Sequence, residues 1–280
     1  MIRWTLKLLT IFFLLLGLKS NGQTFDEPNK ELIRKFKIKT VTSWLCDDSI
    51  CKSKKHFMSW NYGKNGNLLT EFLGKKSDTS FLNKYYYDSK NRLIKQDEIG
   101  NFLCYKDTER NKRSVITNYI YNNLNQIIEE NKIGGCCNLT TKYYYDSNQL
   151  RKIIFLNTGC KYHGECDTTL FEYYVNDKLL SETNKSDDKY ITYNYNKQGQ
   201  LIEKIYKSFF DTTRIYIATN YFYNNNRVSI ETDDETSYGF EGKTKSHRRQ
   251  YNYYYDGKGL LIKIDEIQND KIEHRYIYTY

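Results

Sequence analysis

A short pattern of aromatic, polar and aliphatic positions recurs along most of this chain. Two aromatic residues separated by one residue precede a turn-forming segment and then a pair of aliphatic residues, as in residues 85–94, 119–128, 193–202 and 253–262. Alternating aromatic residues favour a β-strand, and the aliphatic pair begins a second strand. Each unit therefore predicts a strand, a tight turn and a strand. The second aromatic position of the successive units falls at Tyr62, Tyr87, Tyr121, Tyr145, Val175, Tyr195, Tyr223 and Tyr255, and a partial unit ends at Tyr278.

The turn segments share a chemical signature. Asp or Asn opens several of them, where the side chain can bind the backbone two residues on: Asp88, Asn122, Asp146, Asn196 and Asp256. A Gly or Asn stands two residues before the aliphatic pair, where a type I turn with a left-handed bulge residue needs positive φ: Gly66, Asn91, Asn125, Gly199 and Gly259. The segments at 146–150, 176–179 and 224–228 are shorter and must turn differently.

The repetition predicts the architecture, because no single unit can bury its own apolar face. We expect an all-β fold in which consecutive β-hairpin repeats form one elongated, twisted or curled antiparallel sheet. The predicted organisation is a signal peptide at 1–22, an N-terminal leading segment at 23–59 with a Cys46/Cys51 loop, and a β-hairpin repeat domain at 60–280.

The N-terminus is typical of a secretory signal. Arg3 and Lys7 supply a positive start, residues 8–18 an apolar stretch, and Ser20 and Gly22 small residues before a cleavage point. The apolar stretch is shorter than the roughly 20 residues that span a bilayer. We therefore predict an exported protein (secreted, periplasmic or on the outer surface) with no membrane span after cleavage.

The units at 85–93, 193–201 and 253–261 resemble the YD-repeat, or Rhs-type, family, whose unit runs roughly Tyr-x-Tyr-Asp-x-x-Gly-Arg-Leu. The resemblance covers about residues 60–280 and implies a long sheet that spirals or curls, which in large members forms a hollow shell around a toxic cargo domain. This chain departs from that pattern. It is shorter, its units are unevenly spaced, its arginine is kept only at Arg92 and Arg227, and it ends inside a repeat. We therefore expect no cargo-carrying toxin function.

Seven cysteines in an exported chain predict disulfides. A disulfide between Cys46 and Cys51, or between Cys160 and Cys166, could close a small loop. Because the number of cysteines is odd, one thiol is left without a disulfide partner in the chain. Cys160, His163 and Cys166 could also present three metal ligands, but a closed zinc site normally has four. We favour an oxidised loop and predict no metal and no cofactor.

The chain contains 28 tyrosines. In a run of three, strand alternation sends the outer two to one face and the middle one to the other. The outer two are expected to pack in the core. The middle residues, Tyr86, Tyr144 and Tyr254, are expected on the second face, where their rings could bind a sugar or an extended peptide.

Charge does not indicate nucleic acid as a partner. The chain has a formal net charge of +9, and basic residues mostly stand beside acidic ones. The exception is a basic run at 243–249, which predicts an exposed loop. Second strands carry charge on both faces, as with Lys95 and Asp97 on one face and Glu98 on the other, so no lipid-facing stripe of an outer-membrane barrel is expected.

These observations predict a non-enzymatic binding or structural module at the cell surface or in the periplasm, with a glycan or protein as partner. His56, His247 and His274 stand alone in the sequence, so no catalytic set is predicted. Two alternatives remain open. One is a glycan- or peptide-processing enzyme with its site in the connection loops, and the other is a partner protein that pairs its open sheet edge with another chain.

Overall fold

The computed structural model describes residues 30–46, 51–73, 81–102, 111–134, 138–157, 167–173, 177–184, 187–239 and 242–280. These residues form one short helix, α1 (Lys30–Lys35), and eighteen strands. The strands are β1 (Thr40–Cys46), β2 (Lys54–Tyr62), β3 (Leu68–Leu73), β4 (Phe81–Tyr87), β5 (Leu93–Phe102), β6 (Asn111–Tyr121), β7 (Ile127–Gly134), β8 (Leu139–Asp146), β9 (Gln149–Asn157), β10 (Asp167–Tyr173), β11 (Leu179–Asn184), β12 (Lys189–Tyr195), β13 (Leu201–Lys207), β14 (Ile215–Asn224), β15 (Arg227–Gly239), β16 (Gly242–Tyr255), β17 (Leu261–Gln268) and β18 (Lys271–Thr279). The predicted signal peptide lies outside the described residues. No helix within the described ranges is long and apolar enough to cross a membrane.

The strands form one closed ring. Each pairs antiparallel with its neighbours in the chain, and β1 pairs with both β2 and β18, as in the pairs Val41–Trp60 and Ser43–Tyr278. The prediction of an all-β fold of hairpins is confirmed, but the open twisted or curled sheet is wrong, because the fold is an 18-stranded β-barrel. The closing strand β1 comes from the predicted leading segment, whose sequence does not show the repeat.

Closure of the barrel bears on one of the two alternative functions. Because β1 pairs with β18, none of the described strands is an unpaired edge of the sheet. The hypothesis of a partner protein that pairs its open edge therefore loses its physical basis.

The turns between the two strands of each predicted hairpin lie at one end of the barrel, which we call the turn rim. The connections between successive hairpins lie at the opposite end, the connection rim. Every Gly or Asn predicted to need positive φ has it, with values between 61° and 86°: Gly66, Asn91, Asn125, Gly199 and Gly259. Four of the turn openers accept hydrogen bonds from the turn backbone as predicted, namely Asp88, Asn122, Asn196 and Asp256. Oδ1 of Asp88, for example, accepts hydrogen bonds from the backbone of Lys90 and Arg92, both at 2.9 Å. Asp146 is instead the last residue of β8 and pairs with Gln149 across a two-residue turn.

Two of the segments predicted to be shorter are two-residue turns. Ser147 and the pair Asn225–Asn226 have positive φ there, as the turns of two-residue hairpins require. The third prediction is wrong. Tyr173, and not Val175, pairs with Leu179, as Tyr87 pairs with Leu93, so this unit has the ordinary turn length.

Helix α1 rests on the turn rim. It ends in a Schellman motif, in which the Ile38 amide donates to the Ile33 carbonyl at 2.9 Å and Lys37 has a φ of 53°. The Ile33 side chain is 1% exposed and joins a buried cluster with Trp60, Tyr253 and other residues of β1, β2 and β14–β18. A second buried cluster runs along β6–β13.

Candidate binding surface on the outer face of the barrel

Inward-facing tyrosines are tied to the preceding unit by a repeated hydrogen bond. The Tyr143 hydroxyl donates to Glu130 Oε2 at 2.5 Å, and Tyr143 is 4% exposed. The acceptor stands three residues after the aliphatic residue Ile127 of the preceding unit. The same bond joins Tyr85 to Glu71 at 2.9 Å, Tyr119 to Gln96 at 3.1 Å, Tyr193 to Glu182 at 3.1 Å and Tyr253 to Glu231 at 2.6 Å. We call these pairs the inner ladder.

One departure from the inner ladder preserves its logic. Ile153 occupies the acceptor position of its unit, and the aromatic residue that follows on the next strand is Phe171, which has no hydroxyl. Both residues are buried, at 2% and 8% exposure. Neither side chain has a polar group, so the pair leaves no buried polar atom without a hydrogen bond. Buried polar atoms normally have such a bond. At this pair the ring hydroxyl and the polar acceptor are absent together.

The electrostatics of the inner ladder favour a structural role. Burial raises the pKa of the Tyr143 hydroxyl well above its usual value, so it stays protonated and donates. Burial also raises the pKa of Glu130, and the hydrogen bond from Tyr143 opposes this shift. At Lys204, which replaces the acceptor in another unit, burial lowers the pKa.

A second series of contacts links each turn to the next. The Arg92 guanidinium donates to Asn125 Oδ1 at 3.0 Å and lies 4.8 Å from the centroid of the Tyr121 ring. The equivalent positions reach the following turn in the same way: Gln126 to the Ser147 carbonyl at 2.9 Å, Gln149 to Asp177, Lys178 to the Gly199 carbonyl at 2.5 Å, and Gln200 to Asn226 at 3.4 Å. These bonds stabilise the turn rim and hold the wall next to it in a fixed register.

Outward-facing apolar side chains surround much of the barrel near the turn rim. Their exposed fractions lie between 37% and 52%. They are Leu69, Tyr86, Ile94, Ile120, Ile128 and Tyr144 on β3–β8, and Ile202, Phe222, Tyr254 and Ile262 on β13–β17. We call this set the outer belt. On β3–β8 one member lies on each of six neighbouring strands, and the cross-strand partners of Tyr86, Ile120 and Tyr144 are Lys95, Glu129 and Lys152. Single exposed apolar residues are ordinary, whereas a series of them on neighbouring strands is a candidate interaction surface.

The structure places all three sequence-predicted tyrosines in the outer belt. Tyr86, Tyr144 and Tyr254 are 41%, 45% and 39% exposed. Each faces a lysine on the neighbouring strand, with Nζ lying 5.1, 5.8 and 3.7 Å from the ring centroid: Lys95, Lys152 and Lys263, respectively. Each pair combines an apolar ring with a cation. Their role as ligand-binding residues stays a prediction.

Two of these pairs carry a neutralising aspartate. Lys95 Nζ lies 2.9 Å from Asp97, which also accepts a hydrogen bond from the Tyr86 hydroxyl at 3.0 Å. Lys263 Nζ lies 3.1 Å from Asp265. Burial acts to raise the pKa of Asp265, but hydrogen bonds from Arg275 and Lys263 hold it below its usual range. The cations of these two pairs are therefore already occupied.

The cysteine predictions can be followed only in part. Cys46 and Cys51 are joined by a disulfide across the β1–β2 connection. Cys160, His163 and Cys166 lie outside the described residues, so their pairing stays a prediction. Among the described side chains, Glu266, Glu273 and His274 bring donor atoms within 4.8 Å of one another. The 3.3 Å contact between His274 Nδ1 and Glu266 accounts for part of that proximity without an ion.

Known proteins resemble this chain in structure only. No family model and no curated protein matches it. Similar solved structures include TcdB2-TccC3, a Rhs/YD-repeat toxin complex, with a TM-score of 0.38, 11% identity, and coverage of 82% of this chain and 14% of that chain. They also include a porin-like protein from Bacteroides uniformis, with a TM-score of 0.45, 13% identity, and coverage of 86% and 96%. A porin-like protein from Bacteroides vulgatus has a TM-score of 0.32, 12% identity, and coverage of 86% and 97%. At these scores the likenesses carry no argument about function, and membership of the YD-repeat family stays a prediction.

Two features of the wall escaped sequence reasoning. The inner ladder has a sequence signal, an acidic or amide residue three places after the aliphatic one, as at Glu71, Glu130 and Glu182. The turn-to-turn contacts are carried by Gln and Lys as well as by Arg92 and Arg227. A search for arginine alone misses this position in most units, because any long side chain with a hydrogen-bond donor can make the contact.

Proposed function

We propose that this protein is an exported, non-enzymatic binding module of the cell envelope that recognises a glycan or a protein through the outer belt. The observation that supports the proposal is the belt itself, a series of exposed rings and aliphatic side chains on the outside of a wall whose inward-facing tyrosines are buried. Its members lie on six successive strands, β3–β8, which distinguishes them from scattered surface residues.

The two faces of the wall offer different groups to a ligand. Hydroxyls of the inner ladder are engaged with carboxylates or amides, as at Tyr143 and Glu130. Rings of the outer belt keep about two fifths of their surface in solvent, as at Tyr144 and Tyr254. The Cys46–Cys51 disulfide is in keeping with an oxidising compartment outside the cytoplasm.

The test is a glycan and peptide array probed with oxidised protein comprising residues 23–280. The decisive variant combines Tyr86→Ala, Tyr144→Ala and Tyr254→Ala. A matched control is Phe210→Ala, since Phe210 is 75% exposed but lies outside the belt. We expect the triple variant to lose at least about tenfold in affinity, as removal of central aromatic contacts commonly does, while the control binds like the unmodified protein.

Circular dichroism and the unfolding midpoint establish that each variant is folded. Unchanged binding by a folded triple variant would contradict the proposal and move recognition to the connection rim. Failure of the unmodified protein to bind any glycan or peptide would also contradict it.

A further inference from the structure

The pair Tyr144–Lys152 differs from its two counterparts at one position. In the other pairs an aspartate stands two residues after the lysine, Asp97 after Lys95 and Asp265 after Lys263. After Lys152 that position is Ile154. The outer surface at β8 and β9 therefore keeps the ring and the cation but lacks the carboxylate that neutralises the cation elsewhere.

The charge at this place is unpaired within the described residues. Lys152 has its ring contact with Tyr144 at 5.8 Å, and no ion pair joins it to any described carboxylate. A second lysine, Lys142, lies on the same face two residues before Tyr144, opposite Ile154, and also has no ion pair with a described residue. Its other cross-strand neighbour, Glu129, accepts a hydrogen bond from Asn131 at 2.7 Å.

Apolar side chains flank these cations. Lys152 stands between Tyr144 on β8 and Leu170 on β10, and Leu170 is 46% exposed. Ile154 lies between Lys142 and Thr168 in the adjacent row. The surface thus presents an aromatic ring, two aliphatic side chains and two ammonium groups that form no ion pair with a described carboxylate.

We propose that this surface, formed by Tyr144, Lys152, Lys142, Ile154 and Leu170, binds an acidic polysaccharide, whose sugar rings carry carboxylate or sulfate groups. The proposal rests on the proposed function and specifies its ligand class. The C–H face of a sugar ring packs against the tyrosine and the aliphatic side chains, and the ammonium groups bind the anionic substituents by charge-assisted hydrogen bonds. A neutral polysaccharide can use the ring but gives no partner to the lysines, so the site discriminates by charge.

Binding is measured by isothermal titration calorimetry with oxidised residues 23–280 and three polymers: polygalacturonate, heparin and neutral dextran. Lys152→Gln is expected to weaken binding of the acidic polymers about tenfold, since one charge-assisted hydrogen bond contributes roughly that factor. Lys95→Gln is the matched control, because the cation of Lys95 is already held by Asp97, and it should leave the affinity nearly unchanged.

Exchanging the distinguishing residue between the pairs gives a sharper test. Ile154→Asp leaves Tyr144 and Lys152 in place but supplies the missing carboxylate, so it should abolish binding of acidic polymers. Asp97→Asn frees the cation of the Tyr86 pair and should create a second, weaker site. Equal effects of Lys152→Gln and Lys95→Gln would overturn the proposal, because they would show binding to diffuse surface charge.

Failure of this inference can be told apart from failure of the proposed function. If dextran binds as tightly as polygalacturonate and the triple tyrosine variant still abolishes binding, the inference is wrong and the outer belt remains a recognition surface. If none of the polymers binds and the array shows a peptide ligand that depends on the belt, the inference is also wrong. If the triple variant retains binding of acidic polymers, both are wrong.

Discussion

Tyr143 and Tyr144 are adjacent residues of β8 with opposite environments. Tyr143 is 4% exposed, and its hydroxyl is bound to Glu130. Tyr144 is 45% exposed, and its ring faces Lys152. The difference comes from the pleat of the strand, which sends successive side chains to opposite faces of the barrel wall. The same residue type therefore serves the fold in one position and is available to a partner in the next.

The two positions also vary differently along the chain. The inward position is aromatic in the units described above, and it loses its hydroxyl at Phe171, where the acceptor is also lost at Ile153. The outward position holds unrelated side chains in other units: Ile120, Glu172, Asn194 and Phe222. Packing constrains the inner position, whereas the outer one is free to carry recognition.

The largest expected contrast is in stability. Tyr143→Ala removes a buried ring and the hydrogen bond that its hydroxyl donates to Glu130, so we expect a loss of about 3–5 kcal/mol in the free energy of unfolding. Tyr144→Ala should change it by no more than about 0.5 kcal/mol, as is usual at the surface. Denaturant unfolding of both oxidised variants measures the two values. Similar losses would contradict the division of the wall into two faces.

A smaller effect separates the ring from its hydroxyl. Tyr143→Phe keeps the ring but removes the hydrogen bond that the hydroxyl donates to the buried carboxyl of Glu130, at an expected cost of about 1–3 kcal/mol. The double variant Tyr143→Phe with Glu130→Ile reproduces the pair Phe171–Ile153. We expect it to be destabilised by less than the sum of the single variants in a double-mutant cycle, whereas strict additivity would show that ring and acceptor are independent.

Turn geometry maintains which tyrosine faces inward, because a slip of one residue would exchange the two faces. Asn91 has a φ of 61° and its Oδ1 accepts hydrogen bonds from Asn65 and Asn67. Asn91→Ala should be less stable than Asn91→Gly by about 1–2 kcal/mol, because alanine has a Cβ that disfavours the left-handed conformation and glycine has none. Asn91→Gly loses the same side-chain contacts and isolates the backbone effect. The idea fails if thermal unfolding shows the two variants to be equally stable.

The smallest expected effect is a pH dependence at the inner face. Burial raises the pKa of Glu130 above 4.5, so the folded protein holds this proton more tightly than the unfolded chain. Its contribution to stability is fully present below about pH 4.5 and is lost as the pH rises through the raised pKa. The difference in unfolding free energy between the unmodified protein and Glu130→Gln should therefore fall with rising pH.

A matched control for this titration is Glu129→Gln, which changes the neighbouring outward residue of the same strand. The Glu130→Gln difference is compared with the Glu129→Gln difference over the same pH range. A Glu130→Gln difference that is constant, or that increases with pH, would show that burial does not raise the pKa of this carboxyl.

Local chemistry was predictable from the sequence, and long-range closure was not. The positive φ of Gly66 and Gly199 and the acceptor role of Asp88 follow from turn chemistry within a few residues. The outward position of Tyr144 follows from strand alternation. Closure depends on β1 pairing with β18 across more than 200 residues, and the sequence of β1 shows no repeat. The free cation of Lys152 depends on Ile154, whose meaning appears only in comparison with Asp97 and Asp265.

The most direct test of the central claim is tyrosine nitration of the folded, oxidised protein, mapped by tandem mass spectrometry. Tyr143 and Tyr144 lie in one tryptic peptide between Lys142 and Arg151, so fragmentation compares them within a single molecule. The two-faced wall predicts that Tyr144 is nitrated readily, while Tyr143, whose pKa burial raises, reacts only after unfolding. Equal nitration of both residues in the folded protein would contradict the account.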